Sequence, residues 1–452
     1  MSQPDQQKME KIVALCKRRG FIFQSSEVYG GLNGAWDYGP LGVELKRNVK
    51  DYWWRCLVHL RDDIVGLDGA ILMNRTVWQA SGHEETFTDP MIDCKTCKGR
   101  FRADQINETA CPQKPSKTVA QCEGQKTEAR NFNLMFKTYA GAIESDENLV
   151  YLRPETAQAI FVQFRNVLDT SRKKLPFGIA QIGKAFRNEI NPRNFTFRSR
   201  EFEQMELEFF VKADTSEGLK WTDYWLEERL KWYESIGIPR TKIRIYDVPT
   251  EKLAHYSKKT YDLEYEFPFG VQELEGIAYR TDYDLKQHME KSGKPLDYFN
   301  EETKERFIPH VVEPSAGVDR TVLALLCEAY DEEEVADEKG NKETRTVLRF
   351  VPRMAPIKVG IFPLLKNKQQ LVEKAQEVAN LLKPHMTVFY DEAGAIGRRY
   401  RRQDEIGTPF CVTIDFETIE KTPNTVTIRE RDSMKQIRLP ISELLAYLTA
   451  KL

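Results

Sequence analysis

GIAQIGKAFRNEINPRNFTFRSREFEQMELEFFV, residues Gly178–Val211, reads as two strands joined by a polar loop. An apolar-rich run reaches Glu189, the loop INPRNFTFRSR follows, and a second run extends from Glu201 to Val211. Side chains alternate faces along a strand. Gln181, Gly183, Ala185, Arg187 and Glu189 therefore share one face of the first strand, opposite Ile182, Phe186 and Ile190. On the second, Phe202, Gln204, Glu206 and Glu208 oppose Met205, Leu207 and Phe209. If the polar faces line up, one side of a sheet carries an arginine, several carboxylates, a phenylalanine and small residues that leave a hollow. Half-buried charge costs free energy without partners. The face is thus either laced with Arg–Glu pairs or built for a charged ligand. Arg193, Arg198 and Arg200 gather near one end of the hairpin and favour a polyanion.

The rest of the chain narrows the class. With 30% charged and 41% hydrophobic residues in 452, the composition is that of a soluble globular protein with two or three domains. The longest apolar runs fall short of a membrane span, and MSQPDQQKMEK has no apolar signal core. The expectation is a cytoplasmic protein without a membrane partner. Eight cysteines in so long a chain do not make a disulfide scaffold. A net charge of −2 excludes a nucleic-acid footprint over the whole surface, although a small basic surplus falls at the C-terminal end. GxxxxGK[ST], HExxH, HIGH and KMSKS patterns do not occur.

Outward from the hairpin, Gly39-Pro40 opens a helix, since proline suits the first helical turn. Leu41, Leu45, Val49, Tyr52, Trp53, Cys56 and Leu57 follow at helical spacing. In YLRPETAQAIFVQFRNVL a strand ends at Arg153-Pro154, Thr156 can cap, and a helix runs from Ala157 to Leu168. Phe307–Tyr330 is a strand stopping at Glu313-Pro314, a Ser315-Ala316-Gly317 turn and a helix. Its helix N-terminus is a natural anion site. Arg320 in the first turn adds positive charge to an already positive helix end, which is disfavoured without an anionic ligand. Asp331–Arg345 reads as a linker or an exposed hairpin. After Arg353–Pro356, strands and helices alternate, predicting a small sheet with helices on its faces. Cys94-Lys-Thr-Cys97 has the spacing of a zinc knuckle, and Cys111 with Cys122 can add two thiolates, although the second pair is not CxxC. Cys16, Cys56, Cys327 and Cys411 sit among apolar residues and read as core.

Phe186-Arg187-Asn188-Glu189, a loop and Arg200-Glu201-Phe202 resemble motif 2 of the class II aminoacyl-tRNA synthetases. With RPETAQ, ELEGIA and EPSAG, the chain is similar to homodimeric glycyl-tRNA synthetases over nearly its whole length. The resemblance implies an α+β chain with a class II antiparallel-sheet core and a C-terminal α/β anticodon-binding domain. Residues 1–93 would hold the N-terminal part of the core with motif 1 (its proline Pro90), 94–130 a cysteine-containing insertion, 131–345 motifs 2 and 3, and 355–452 the anticodon-binding domain. It implies activation of glycine with ATP and Mg2+ to glycyl-adenylate, then transfer to the 3′ end of tRNA(Gly) by a homodimer.

Carried over position by position, Arg187 and Arg320 become catalytic, gripping phosphate oxygens with Arg198 or Arg200. Phe202 stacks on adenine and Glu189 meets its amino group. Asn188, Phe197, Ser199, Glu201, Glu273, Leu274 and Gly317 complete the ATP site, Glu273 being a candidate Mg2+ ligand. Glu155, Glu206 and Glu313 hold the glycine ammonium, with Arg102, Glu203, Gln204, Met205, Pro314, Ser315 and Ala316, besides Phe202 and Gly317, completing that subsite. Arg398, Arg399, Arg401 and Arg402, beside Tyr400, would meet tRNA, and Cys94, Cys97, Cys111 and Cys122 a structural Zn2+. Excluding a larger substrate by clash needs no editing domain. Two alternatives stay open. One is a catalytically dead relative that binds nucleic acid, which need not keep Arg187, Glu189, Glu313 and Arg320 together; the other is a class IIa synthetase for a different amino acid.

Overall fold

A computed structural model of the protein describes residues 3–336, 342–420 and 424–452. Helix α1 (Gln3–Arg19) buries Ile12, Leu15 and Cys16 along one stripe. The sequence alone predicts a short amphipathic helix over Met9–Arg19, and the observed helix reaches N-terminally beyond it to Gln3. Helix α2 (Pro40–Trp54) starts with proline in its first turn, as the sequence requires. Its entry is close-packed: a Cβ on Gly42 would lie 1.8 Å from the Phe21 carbonyl oxygen, so only glycine lets α2 dock there.

The centre of the fold is a seven-stranded sheet. Its strands, in chain order, are β1 (Ile64–Gly66), β2 (Phe177–Phe186), β3 (Glu201–Val211), β4 (Ile243–Asp247), β5 (Lys259–Phe267), β6 (Gly270–Thr281) and β7 (His310–Gly317). They lie in the order β4-β5-β6-β7-β3-β2-β1 and pair antiparallel except β1 with β2. The register sets the polar faces side by side: Gln181 opposite Glu206, Ala185 opposite Phe202, Glu206 opposite Ser315, and Glu313 opposite Ala278.

Four helices complete the core: α3 (Ala157–Ser171), α4 (Thr215–Ser235), α5 (Tyr283–Ser292) and α6 (Val318–Ala329). The apolar sheet face, with Met205, Leu207 and Phe209, packs in one core with Trp225 of α4 and Val322 of α6. On the polar face, α3 and α5 cover one half through Phe161, Phe164, Phe177, Phe210 and Leu285. Each such phenylalanine adds about 2 kcal/mol of burial. The other half of the polar face is left open.

The C-terminal unit holds β8 (Val359–Pro363), β9 (Val388–Tyr390), β10 (Phe410–Ile414), β11 (Thr425–Glu430) and β12 (Gln436–Pro440), in the order β9-β8-β10-β11-β12. Helices α7 (Gln369–Leu382) and α9 (Ile441–Lys451) close its own core around Ile361, Val378, Val412 and Leu444. Helix α8 (Ile396–Ile406) packs beside the hairpin formed by Tyr330–Ala336 and Lys342–Leu348. That hairpin is the stretch whose sequence allowed either a linker or a hairpin; positions 337–341 lie outside the described residues. Arg345, fully buried, joins it to α8 through Asp404 at 2.8 Å.

Pro90 does not stand where a motif 1 proline was expected. The strand after α2 is β1, whereas Pro90 pairs with Asn131 in a separate sheet of Arg100–Arg102, Thr88–Asp93 and Arg130–Asn133. Cys56 is only partly buried, unlike Cys16, Cys327 and Cys411. Among the described residues, no helix is long and apolar enough to cross a membrane.

Candidate active site

The open half of the polar face is the floor of a cavity of about 350 Å³. Three strands supply that floor in matching register: Phe202, Gln204 and Glu206 from β3, Gly276, Ala278 and Arg280 from β6, and Glu313, Ser315 and Gly317 from β7. Alternation along the strands is what brings these side chains to one surface.

One end of the cavity is cationic. Arg187, just past β2, donates from Nε to the Pro154 carbonyl at 3.0 Å. Its guanidinium carbon lies 5.4 Å from the Phe87 ring and 5.3 Å from the Phe202 ring, which fixes its plane. Arg320, in the first turn of α6, lies over the Phe197 ring at 4.4 Å and donates to the Glu273 carbonyl at 3.2 Å. Arg198 and Ser199 line the same end.

The other end is anionic and buried. Glu206 accepts from the Thr156 backbone N–H at 3.0 Å, the Thr156 hydroxyl, Gln204 at 2.9 Å and Ser315 at 2.8 Å. Arg280 donates from Nη1 to both oxygens of Glu313 at 3.0 Å and holds Asp284 bidentately at 2.8 Å. Gln158 bridges Asp284 and Glu155, each at 3.0 Å, and His83 lies 3.3 Å from the other Glu155 oxygen.

Burial, reinforced by Glu155, raises the Glu206 pKa. It pushes Glu313 up to about 7 despite Arg280. Burial acts the same way on Glu155, but the charges of His83 and Arg280 overcome it and hold that carboxyl below its ordinary value. Glu208 lies beneath, fully buried with neither oxygen partnered among the described residues. Burial and the Glu313 charge hold its pKa well above the usual carboxylate range. Arg280 thus acts on Glu155, Glu206, Glu313 and Asp284, while the equally buried Arg153 also acts on Glu206. Uncompensated buried carboxylates are costly, so this end of the cavity suits a cationic group.

The structure also sorts the predicted residues. Arg187, Glu189, Phe197, Arg198, Ser199, Phe202, Gln204, Glu206, Glu155, Glu273, Leu274, Glu313, Ser315, Gly317 and Arg320 all line the cavity. Glu203 and Met205 do not: on alternate positions of β3, Glu203 meets Lys46 and Lys50, and Met205 enters the core. Pro314 and Ala316 turn away on β7 for the same reason. Arg102 pairs with Asp89 and Asp104, each at 2.7 Å. Arg200 is held by the carbonyls of Asn33 and Glu189, and Glu201 pairs with Lys184. The Asn188 backbone N–H binds the Leu134 carbonyl at 2.7 Å, and Asn188 is not among the lining residues.

Arg280, Asp284, Gln158, His83 and Tyr256 are absent from the residues the sequence assigns to the site. The two-residue spacing of Gly276, Ala278 and Arg280 was the available sign. Nor does the sequence assign the clamp beneath Arg320. Lys46 of α2 reaches Asp319 at 2.9 Å and Glu203 at 2.7 Å, Tyr38 donates to Asp319 at 2.6 Å, and Asp319 accepts the Glu203 backbone N–H at 2.7 Å. The first turn of α6, and with it Arg320, is pinned to β3 and α2.

Elsewhere, Arg399 is turned inward, donating to the carbonyls of Pro363, Leu364, Asp391 and Gly394, a position that cannot present it to tRNA. Tyr400 bonds Thr413 at 2.6 Å beneath Arg429 and is no stacking platform. Arg401 pairs with Glu343 and Arg402 with Asp391, while Arg398 is exposed. In the insertion, Cys94 accepts backbone N–H bonds from Thr96 and Cys97 and a side-chain bond from Cys97; these bonds lower its pKa. Cys111 accepts from Lys114 and Gln113 and bonds Cys122. Among the described residues, no group of three or more His, Cys, Asp or Glu is arranged to hold a metal ion.

Comparison with known proteins matches residues 136–330 to the class II tRNA synthetase core domain (G, H, P, S and T) and residues 358–451 to an anticodon-binding domain. Among similar curated proteins, a glycine–tRNA ligase of Treponema denticola is 54% identical over 97% of this chain and 96% of its own length. One from Thermobifida fusca is 53% identical over 98% of both chains. One from Geobacillus thermodenitrificans is 54% identical over 98% of this chain and 97% of its own.

Proposed function

The chain belongs to the glycine–tRNA ligase family of class II synthetases, and from that premise we propose how its cavity charges tRNA with glycine. Arg187 and Arg320 take the phosphates of ATP, Phe202 takes the adenine, and Glu155, Glu206 and Glu313 take the ammonium of glycine. The observation that carries this reading is the polarity of one cavity: fixed arginines at one end and buried carboxylates short of positive charge at the other. A zwitterion lying between a polyanion and that pit presents its carboxylate to the α-phosphorus. The carboxylate oxygen attacks, the bond to the bridging oxygen breaks, and pyrophosphate leaves. The terminal ribose hydroxyl of tRNA then attacks the acyl carbon and AMP departs. No side chain becomes covalent; alignment and charge stabilisation supply the rate.

Glu273 stands at the cavity mouth beside Asp262, whose carboxyl burial and Glu273 push up to about 7. Mg2+ arriving with ATP would add a compensating charge there. Amino-acid-dependent pyrophosphate exchange with all twenty amino acids tests the reading: exchange with glycine alone is the expected result, and exchange with another amino acid or with none overturns it.

Two finer readings belong with it. The unit from 355 to 452 engages tRNA(Gly), with Arg398 as its exposed arginine. The protein is a cytoplasmic homodimer, supported by exposed Val43 and Leu60 along and just after α2; light scattering measures its mass.

A further inference from the structure

We propose that Tyr256 determines amino-acid specificity, its ring roofing the ammonium pit so that a substrate carrying a β-carbon does not fit. The inference rests on reading the pit as the glycine subsite, and adds the residue that makes it glycine-sized.

Tyr256 lies in the connection between β4 and β5, from which Val248, Leu253 and Ala254 also line the cavity. Its ring faces Arg280, with the guanidinium carbon 3.8 Å from the ring centroid. Arg280 cannot yield. Asp284 and Glu313 hold its three nitrogens, and the Phe161 ring lies 5.3 Å away. The ring is braced in turn by His255 at 5.2 Å and Tyr283 at 6.5 Å between centroids. Swinging it aside would strip the aromatic face from a buried cation.

The hydroxyl makes no hydrogen bond among the described residues, so the contribution of this side chain is its shape. Tyr256 lines the cavity together with Glu155, Glu206 and Glu313, and besides burial and Arg280 the charges of Glu313, Glu155 and Asp284 act on its phenol, so it lies near two of the three carboxylates assigned to the ammonium. Across the same cavity Glu206 is fixed by its hydrogen bonds from Thr156, Gln204 and Ser315. Roof and floor are therefore both rigid. An ammonium seated on the glutamates brings its Cα close under the ring, where glycine presents only hydrogens. Alanine must push a methyl group against the ring, and rejection by clash needs no second site.

The experiment is pyrophosphate exchange with glycine and with alanine on the full-length protein and on Tyr256→Phe, Tyr256→Leu and Tyr256→Ala, each confirmed folded by thermal melt. Tyr256→Phe should leave the alanine-to-glycine ratio of kcat/KM within about twofold, since the hydroxyl has no partner. Leu and then Ala should raise it stepwise, to at least about tenfold for Tyr256→Ala. A ratio that ignores ring size while glycine exchange persists overturns the proposal, as does equal loss with both amino acids in folded variants. If Tyr256→Ala does not fold, the Phe-to-Leu step carries the same decision. Absence of glycine-dependent exchange in the unmodified protein would instead defeat the reading of the site on which the proposal stands.

Discussion

Residues 187–200 and 398–402 each carry four arginines, and their sequences invite the same reading as anion-binding stretches. The fold treats them oppositely. Arg187 spends one nitrogen on a backbone carbonyl and is braced by two aromatic rings, so its remaining donors face the cavity. Arg399 spends its donors on carbonyls that end strands and turns of its own unit. An arginine run reports positive charge, but whether that charge is available depends on acceptors that lie far away along the chain.

The sharpest contrast comes from removing one arginine of each kind. Arg187→Ala should lower pyrophosphate exchange by about a hundredfold to a thousandfold, the usual cost of one donor to developing charge, while leaving the melting curve in place. Arg399→Ala should do the reverse. It leaves buried carbonyls without partners, a cost of about 1–3 kcal/mol for each group left unsatisfied. The C-terminal unit should melt earlier, with exchange unchanged below that transition. If Arg399→Ala removes exchange at low temperature, the division of roles is wrong.

A second test turns on protonation. Burial raises the Glu313 carboxyl to about 7 in the folded protein, above its ordinary value. A carboxyl raised in this way gains its proton as pH falls through 7 and then no longer attracts an ammonium. Glycine affinity should therefore drop about tenfold per pH unit below 7, measured as KM for glycine at saturating ATP. The stability sign is opposite: the folded state holds the extra proton, so this group favours folding most at low pH and less as pH rises through 7. Glu313→Gln should flatten the KM profile; a profile that persists in that variant would move the titration elsewhere.

The clamp under Arg320 predicts a smaller, selective effect. Lys46→Met leaves Asp319 and Glu203 without their shared cation and loosens the first turn of α6. KM for ATP should rise about tenfold, equivalent to about 1.4 kcal/mol, with KM for glycine nearly unchanged. Equal rises in both constants would mean general loosening. Smallest of all, Arg398→Ala should weaken tRNA binding about twofold and reduce the salt slope by about one unit. Exchange without tRNA should not change.

Strand alternation made much of the site legible beforehand. The polar set on β3 and Glu313, Ser315 and Gly317 fell on one surface because each strand exposes every second residue; the turn expected at Ser315–Gly317 is strand, leading directly into α6. The same rule removed Glu203, Met205, Pro314 and Ala316, which contiguous motif matching had included. What escaped was held by partners distant in the chain. Arg280 is marked as buried only by Asp284 and Glu313, which close round it in the fold, and Tyr256 sits in a connection with no periodicity to read. Pro90 went to a small separate sheet because strand pairing, not the residue type, decides which strand a proline ends.

From the sequence alone came the strands, their two faces, the helix starts at Pro40 and Val318, and the residue types that a nucleotide and a zwitterion require. These follow from local rules: a period of two along a strand, a proline in the first helical turn, small residues before a helix. Only the tertiary structure decided which charges are spent and which are free, because that depends on burial and on acceptors brought together across hundreds of residues. Arg187 and Arg399 are chemically identical side chains. The environment that separates them is the product of the whole chain folding, and no short stretch contains it.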